Sequence, residues 1–190
     1  MRQHLIVMAK EPRPGRVKTR LAADIGNVAA AWWVRHQTGR LLRRVHDPRW
    51  SLTLAVSPDT ALWSRCFPRG LERAPQGSGS LGDRMARLLR SMPPGPVLIV
   101  GNDIPALDRR HIAQAFAALG RAPAVLGPAP DGGYWAIGLR RAAAPPADLL
   151  ARVRWSTEHA CTDTAATLPH PVAYVATLAD VDCAADLDTR

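Results

Sequence analysis

A chain of 190 residues with 47% hydrophobic side chains can cover one sheet with helices on both faces, and it is read as one domain over residues 1–190. Its formal charge of +9 is carried almost wholly by arginines scattered along the chain rather than gathered in a stripe, which argues against nucleic acid as a partner. Three distant cysteines, Cys66, Cys161 and Cys183, exclude a disulfide scaffold and a C-x-x-C zinc site, and no apolar run is long enough for a signal segment or a membrane span, so a reducing cytoplasm is the expected setting.

Residues 4–9 form a short continuous apolar run that predicts a strand buried on both faces and central in a sheet. It runs into Lys10, Arg13, Arg16, Lys18 and Arg20, five cations in eleven residues, punctuated by Pro12, Pro14 and Gly15. The chain's two lysines both fall here, where compact ammonium groups suit phosphate, and Thr19 is positioned to cap the helix after the loop and complete an anion site. A Walker A loop is excluded, because Val17 stands where its glycine must be.

Residues 29–45 carry apolar side chains at helical spacing, with the tryptophans assigned to the core, and Pro48 ends the helix. A second strand over 51–56 is followed by a flexible loop in which Gln76 and Gly77 can contact a base or ribose. Leu81, Met85, Leu88, Leu89 and Met92 then mark a helix. The third strand, 96–101, ends at Asp103, a carboxylate placed to hold Mg²⁺ or Mn²⁺, and Asp108 can cap the next helix. A fourth strand at 124–126 leads into Asp131, Gly132, Gly133 and Tyr134, where two glycines allow close approach to an acceptor and a further strand begins. A helix near 158–166, a strand at 172–175 and the pair Asp180 and Asp182, whose acids can reach a metal or cap the last segment, complete the chain. Strands alternating with helices predict a mostly parallel sheet with its ligand crevice beyond the strands' carboxyl ends. No serine or histidine has the spacing of a nucleophile elbow or a metal site.

Taken together, the series Met8-Ala9-Lys10-x-Pro12-x-Pro14-Gly15-x-Val17-Lys18-Thr19-Arg20-Leu21, Gln76-Gly77, Leu81-Gly82-Asp83-Arg84-Met85, Gly101-x-Asp103-Ile104-Pro105, Asp131-Gly132-Gly133-Tyr134-Trp135, Trp155-Ser156-Thr157 and Asp180-Val181-Asp182 resembles the bacterial glycosyltransferase-A-like nucleotide-diphospho-sugar transferases. Some of these are linked to arsenosugar biosynthesis. The series is similar, more distantly, to phospholactate and molybdenum-cofactor guanylyltransferases. The resemblance implies a three-layer α/β/α glycosyltransferase-A-like fold, a nucleotide or nucleotide-sugar donor, a small-molecule acceptor and a divalent metal. It assigns Asp103, Lys18 and Asp131 to catalysis, Lys10, Arg13, Arg16, Lys18, Thr19, Arg20, Gln76 and Gly77 to the nucleotide, and Asp131 to Tyr134 to the acceptor. Asp103, with Asp182 as a second candidate, is assigned to the metal. Asn102 departs from the Thr or Ser usual before the aspartate. Nucleotidyl transfer and a non-catalytic basic binding module remain the alternatives.

Overall fold

The computed structural model describes residues 1–187, so the last three residues of the expected domain lie outside the described residues. β1 (Gln3–Lys10) is the apolar run anticipated from sequence, and its inner position between β2 (Trp50–Ser57) and β4 (Val97–Val100) explains why residues 4–7 show no polar alternation: both faces are covered. Leu5, Val7 and Ala9 face one apolar layer with Leu41, Val45, Ile112, Phe116 and Leu119. Ile6 faces the other with Met85, Leu88 and Leu89.

The first layer is supplied by α2 (Asn27–Val45) and α4 (Arg109–Leu119), the second by α3 (Leu81–Ser91). The sheet has seven strands in the order β3-β2-β1-β4-β6-β5-β7, with β3 at Glu72–Pro75, β5 at Ala124–Pro128, β6 at Tyr134–Leu139 and β7 at Val172–Tyr174. Only β6 runs against the rest: it pairs antiparallel with β4 and with β5, while the other pairs are parallel. This is the mostly parallel α/β/α architecture expected from the sequence.

Two expectations change. The helix after the basic loop is a separate short element, α1 (Thr19–Ile25), and its N-cap is Lys18 in a left-handed conformation with no side-chain cap, so Thr19 opens the helix without capping it. Trp32 is not in the core; it is 55% exposed and stacks on His36 with Arg35 over its ring. Asp108, by contrast, does cap α4, accepting from Arg110 and His111 backbone N–H groups. Beyond α5 (Ala160–Thr167), residues 175–187 cross the sheet's carboxyl edge, tied by Val175 N–H to Leu126, Leu178 N–H to Pro128 and Val181 N–H to Asp103 carbonyls. No helix among the described residues is long and apolar enough to cross a membrane.

Candidate functional site

A cavity of about 450 Å³ opens beyond the carboxyl ends of β1, β2 and β4 and the amino end of the antiparallel β6, the place where parallel α/β sheets bind ligands. Of the residues singled out in the sequence, Lys10, Gln76, Asp103, Asp131, Gly133 and Tyr134 line it, as does Asp180. Arg13, Arg16, Thr19, Arg20, Gly77, Gly132 and Asp182 do not, and Lys18 meets it only through the carboxylates at its edge. Ser57, Arg84, Asn102 and Trp155 had no role assigned from sequence, yet each lines the cavity. All four end or follow a strand or lie in a motif of the series, and that adjacency was the available signal.

At one end of the cavity three carboxylates surround a single ammonium. Lys18 Nζ lies 2.7 Å from Asp103 Oδ2, 2.7 Å from Asp182 Oδ1 and 3.3 Å from Asp180 Oδ2. The loop after β1 brings in Lys18, the end of β4 brings in Asp103, and the C-terminal strap brings in the other two. Arg20 Nη1 meets Asp182 Oδ2 at 3.0 Å from outside. Burial works against the Lys18 ammonium, but the charge and hydrogen bond of Asp103, with the Asp182 hydrogen bond, overcome it and hold Lys18 above the ordinary lysine range. Asp180 moves the other way for an acid: burial, then the charge of Asp103, raises its pKa. Five charges thus share one partly buried cluster, and Lys18 and Arg20 are paired there rather than open to phosphate. Arg13 is likewise engaged, by Glu11.

Hard oxygen donors converging on one positive centre suit Mg²⁺ or Mn²⁺ by their chemistry. That centre is Lys18, and among the described residues no group of three or more His, Cys, Asp or Glu could hold a metal ion. As arranged, the three carboxylates are occupied by the Lys18 ammonium, and a divalent cation could take its place only if Lys18 withdrew.

Gln76 is not in a flexible loop but 5% exposed, its Nε2 donating to the Ala9 carbonyl at 3.3 Å and the Ala55 carbonyl at 2.9 Å. Two carbonyl partners fix the amide orientation and leave Oε1 as the acceptor of this cavity-lining side chain. Gly77 N–H is held by Asp59, and Arg87 binds the Gln76 and Ser78 carbonyls, so the whole turn is pinned before Ser80 caps α3. We expect Gln76→Ala, which strands two buried carbonyls, to lower stability by about 1–3 kcal/mol in urea unfolding. An unchanged midpoint would show that the amide is not needed to close the strand ends.

The opposite wall is aromatic. Tyr134 sits edge-on to Trp155 with ring centres 6.5 Å apart, and its buried hydroxyl, pushed above the ordinary tyrosine range by burial, pairs with Thr164. Asp131 Oδ1 accepts from Gly133 N–H at 2.9 Å, shaping the turn that presents both to the cavity.

With this geometry established, comparison places the chain among known proteins. The profile described as "Uncharacterized protein conserved in bacteria (DUF2064)" matches residues 41–157. The chain belongs to the DUF2064 family. No curated protein matches it. Among solved structures, it is similar to a protein of Desulfovibrio desulfuricans G20 assigned provisionally as a nucleotide-diphospho-sugar transferase, with 27% identity and a TM-score of 0.84 over 96% of this chain and 84% of that one. It also shares the fold of Rv0371c from Mycobacterium tuberculosis H37Rv, solved in complex with manganese, at 16% identity and a TM-score of 0.57 over 98% of this chain and 96% of that chain. A CMP:2-keto-3-deoxy-manno-octonic acid synthetase complexed with CTP matches at 11% identity and a TM-score of 0.56, covering 99% and 96% of the two chains. The DUF2064 chain thus has the nucleotide-diphospho-sugar transferase fold.

Proposed function

We propose that this DUF2064 protein is a cytoplasmic transferase, one domain over residues 1–190, that takes a nucleotide-sugar donor and passes its glycosyl group to a small-molecule acceptor. The observation that carries the reading is the cavity at the strands' carboxyl ends, bounded by Asp103 and Asp180 on one side and by Tyr134 and Trp155 on the other. Its three cysteines, all free, accord with a reducing compartment.

In this reading an acceptor hydroxyl oxygen attacks the anomeric carbon and its proton passes to a carboxylate on the acceptor side, for which Asp131 is the candidate, while the bond from that carbon to the diphosphate breaks and a nucleoside diphosphate leaves with the electron pair. Negative charge grows on the leaving group, so fixed cations and dipoles can supply catalysis without a protein nucleophile. Asp103, Asp180 and Asp182 would hold the divalent cation, which when bound contributes Lewis-acid neutralisation of phosphate oxygens. Lys18 and Arg20, which pair with those acids, and Arg16 of the same loop are assigned to donor phosphates once Lys18 is released. Gln76 Oε1 offers an acceptor to a donor group on the base or ribose, and Asp131 to Tyr134 with Trp155 form a surface against which a sugar ring can pack.

A second reading is nucleotidyl transfer, favoured by the shared fold with a CTP-bound synthetase. There an acceptor oxyanion attacks the α-phosphorus of a nucleoside triphosphate and pyrophosphate leaves. Calorimetric titration with UDP-glucose, GDP-mannose, CTP and GTP, each with Mn²⁺ and again with EDTA, separates the two. Metal-dependent saturation by one sugar nucleotide supports glycosyl transfer, saturation by one triphosphate alone supports nucleotidyl transfer, and no binding leaves a non-catalytic module. Asp103→Ala should abolish the metal dependence; a titration like that of the unaltered protein would remove Asp103 from the role.

A further inference from the structure

The cavity's charges are divided. At the acidic end, three carboxylates face Lys18 and Arg20, which leaves one net negative charge. On the β1–β2 side stand Lys10 and Arg84, neither of which has an ion-pair partner among the described residues.

Arg84 is held in place without being neutralised. It projects from the first turn of α3, where the Ser80 and Asp83 capping box fixes the helix start. Its Nε donates to the Gly79 carbonyl at 3.0 Å and its Nη1 to Ser57 Oγ at 3.3 Å. Both acceptors are uncharged, so they orient the guanidinium while its full charge stays available. Nη2 makes no hydrogen bond among the described residues, and the half-buried fork retains N–H groups for a planar oxyanion. Ser57, at the end of β2, lines the same cavity beside Lys10 at the end of β1. A guanidinium pre-set by two neutral acceptors, with an unpaired ammonium close by on a cavity wall, is an arrangement for binding an anion.

We propose that Arg84, positioned by Ser57 and assisted by Lys10, binds a phosphate oxygen of a substrate inside the cavity, a contact separate from those assigned to Lys18, Arg16 and Arg20. The inference rests on the transferase reading and deepens it, since it names which wall of the site takes the anionic group. The phosphate can come from the donor's diphosphate or from a phosphorylated acceptor.

The test is calorimetric titration of the full chain, unaltered and as Arg84→Gln, with pyrophosphate, UDP-glucose, CTP and mannose 1-phosphate. Glutamine can still donate to the Gly79 carbonyl, and matching thermal midpoints will show that the fold is kept. Loss of one charge-assisted fork should weaken binding by about tenfold or more. Weakening of the nucleotides identifies the donor's phosphate, and weakening of mannose 1-phosphate alone identifies the acceptor's; both support the subsite. Arg84→Lys should recover part of the affinity if charge matters, and Ser57→Ala should lower it by a smaller factor. If Arg84→Gln binds every probe within a factor of about two of the unaltered chain, less than the weakest such contact, the subsite is overturned while the transferase reading stands. If the unaltered chain binds none of the probes, both fall.

Discussion

Lys18→Met is expected to destabilise the chain in EDTA and to be rescued by Mn²⁺ far more than the unaltered protein is. Methionine keeps the length of the stem but removes the one positive charge that, among the described residues, sits between Asp103, Asp180 and Asp182. Breaking a fully buried ion cluster from one side costs about 3–5 kcal/mol; here the carboxylates are 27–38% exposed, so solvent screening reduces the loss to about 2 kcal/mol. For a chain of this size that corresponds to a fall in the thermal midpoint of roughly 4–8 °C.

The same substitution opens the acidic cluster to a divalent cation that no longer competes with an ammonium. The variant's midpoint should therefore rise with Mn²⁺ in proportion to the logarithm of its concentration, and it should bind Mn²⁺ more tightly than the unaltered chain. Equal response of both proteins to Mn²⁺ would rule out competition between Lys18 and the metal. The sign of the pH effect is set by linkage. Because the folded pKa of Lys18 is raised, its contribution is complete below the ordinary lysine value and is lost only as pH rises through the folded value. The stability gap between the two proteins should thus persist through neutral pH and close only in strong alkali.

The order of strands and helices was legible because each inner strand is a short apolar run that stops at a charged or glycine-rich segment, and each helix carries a spaced apolar stripe. β3 was not, since Glu72–Pro75 is a four-residue edge strand that pairs only with β2 and contains neither alternation nor an apolar run. The reversed direction of β6 was equally hidden: Tyr134–Leu139 is as apolar as its parallel neighbours, and only the tight turn at 129–133 hints at antiparallel pairing with β5. At the site, the motifs located the cavity wall, but sequence could not assign charges to partners. Lys18 is separated from Asp180 and Asp182 by more than 160 residues, and only the strap across the sheet edge brings them together. A lysine in a basic loop reads from sequence as a phosphate ligand, and its position as the counter-ion of three acids is visible only in the structure.

Gly132→Ala should have the second large effect, and it should act on the cavity's aromatic wall rather than on the core. Gly132 has φ +84°, a conformation that costs an L residue roughly 1–2 kcal/mol, and an added Cβ would lie 2.2 Å from the Glu158 carbonyl oxygen and 2.4 Å from its Cα. Backbone, not a flexible side-chain end, blocks the space, so one of two segments must move. The segment around Trp155 is the weaker of the two. Leu150, Arg152 and Ser156 within it already hold left-handed conformations, whereas Gly132 is fastened within the tight turn between β5 and β6 by the Ala129 carbonyl and to α5 through Cys161 N–H. Displacement of residues 155–158 would separate Trp155 from Tyr134 and take Ser156 and Thr157 from the cavity edge. The expected outcome is a stability loss of about 2–4 kcal/mol in urea, with an altered Trp155 environment in near-ultraviolet circular dichroism. Acceptor affinity should fall more than donor affinity, because the Lys10, Gln76 and Arg84 wall is anchored elsewhere. A variant that keeps its stability and its aromatic spectrum would mean that the Glu158 backbone yields freely and that this close approach does not shape the site.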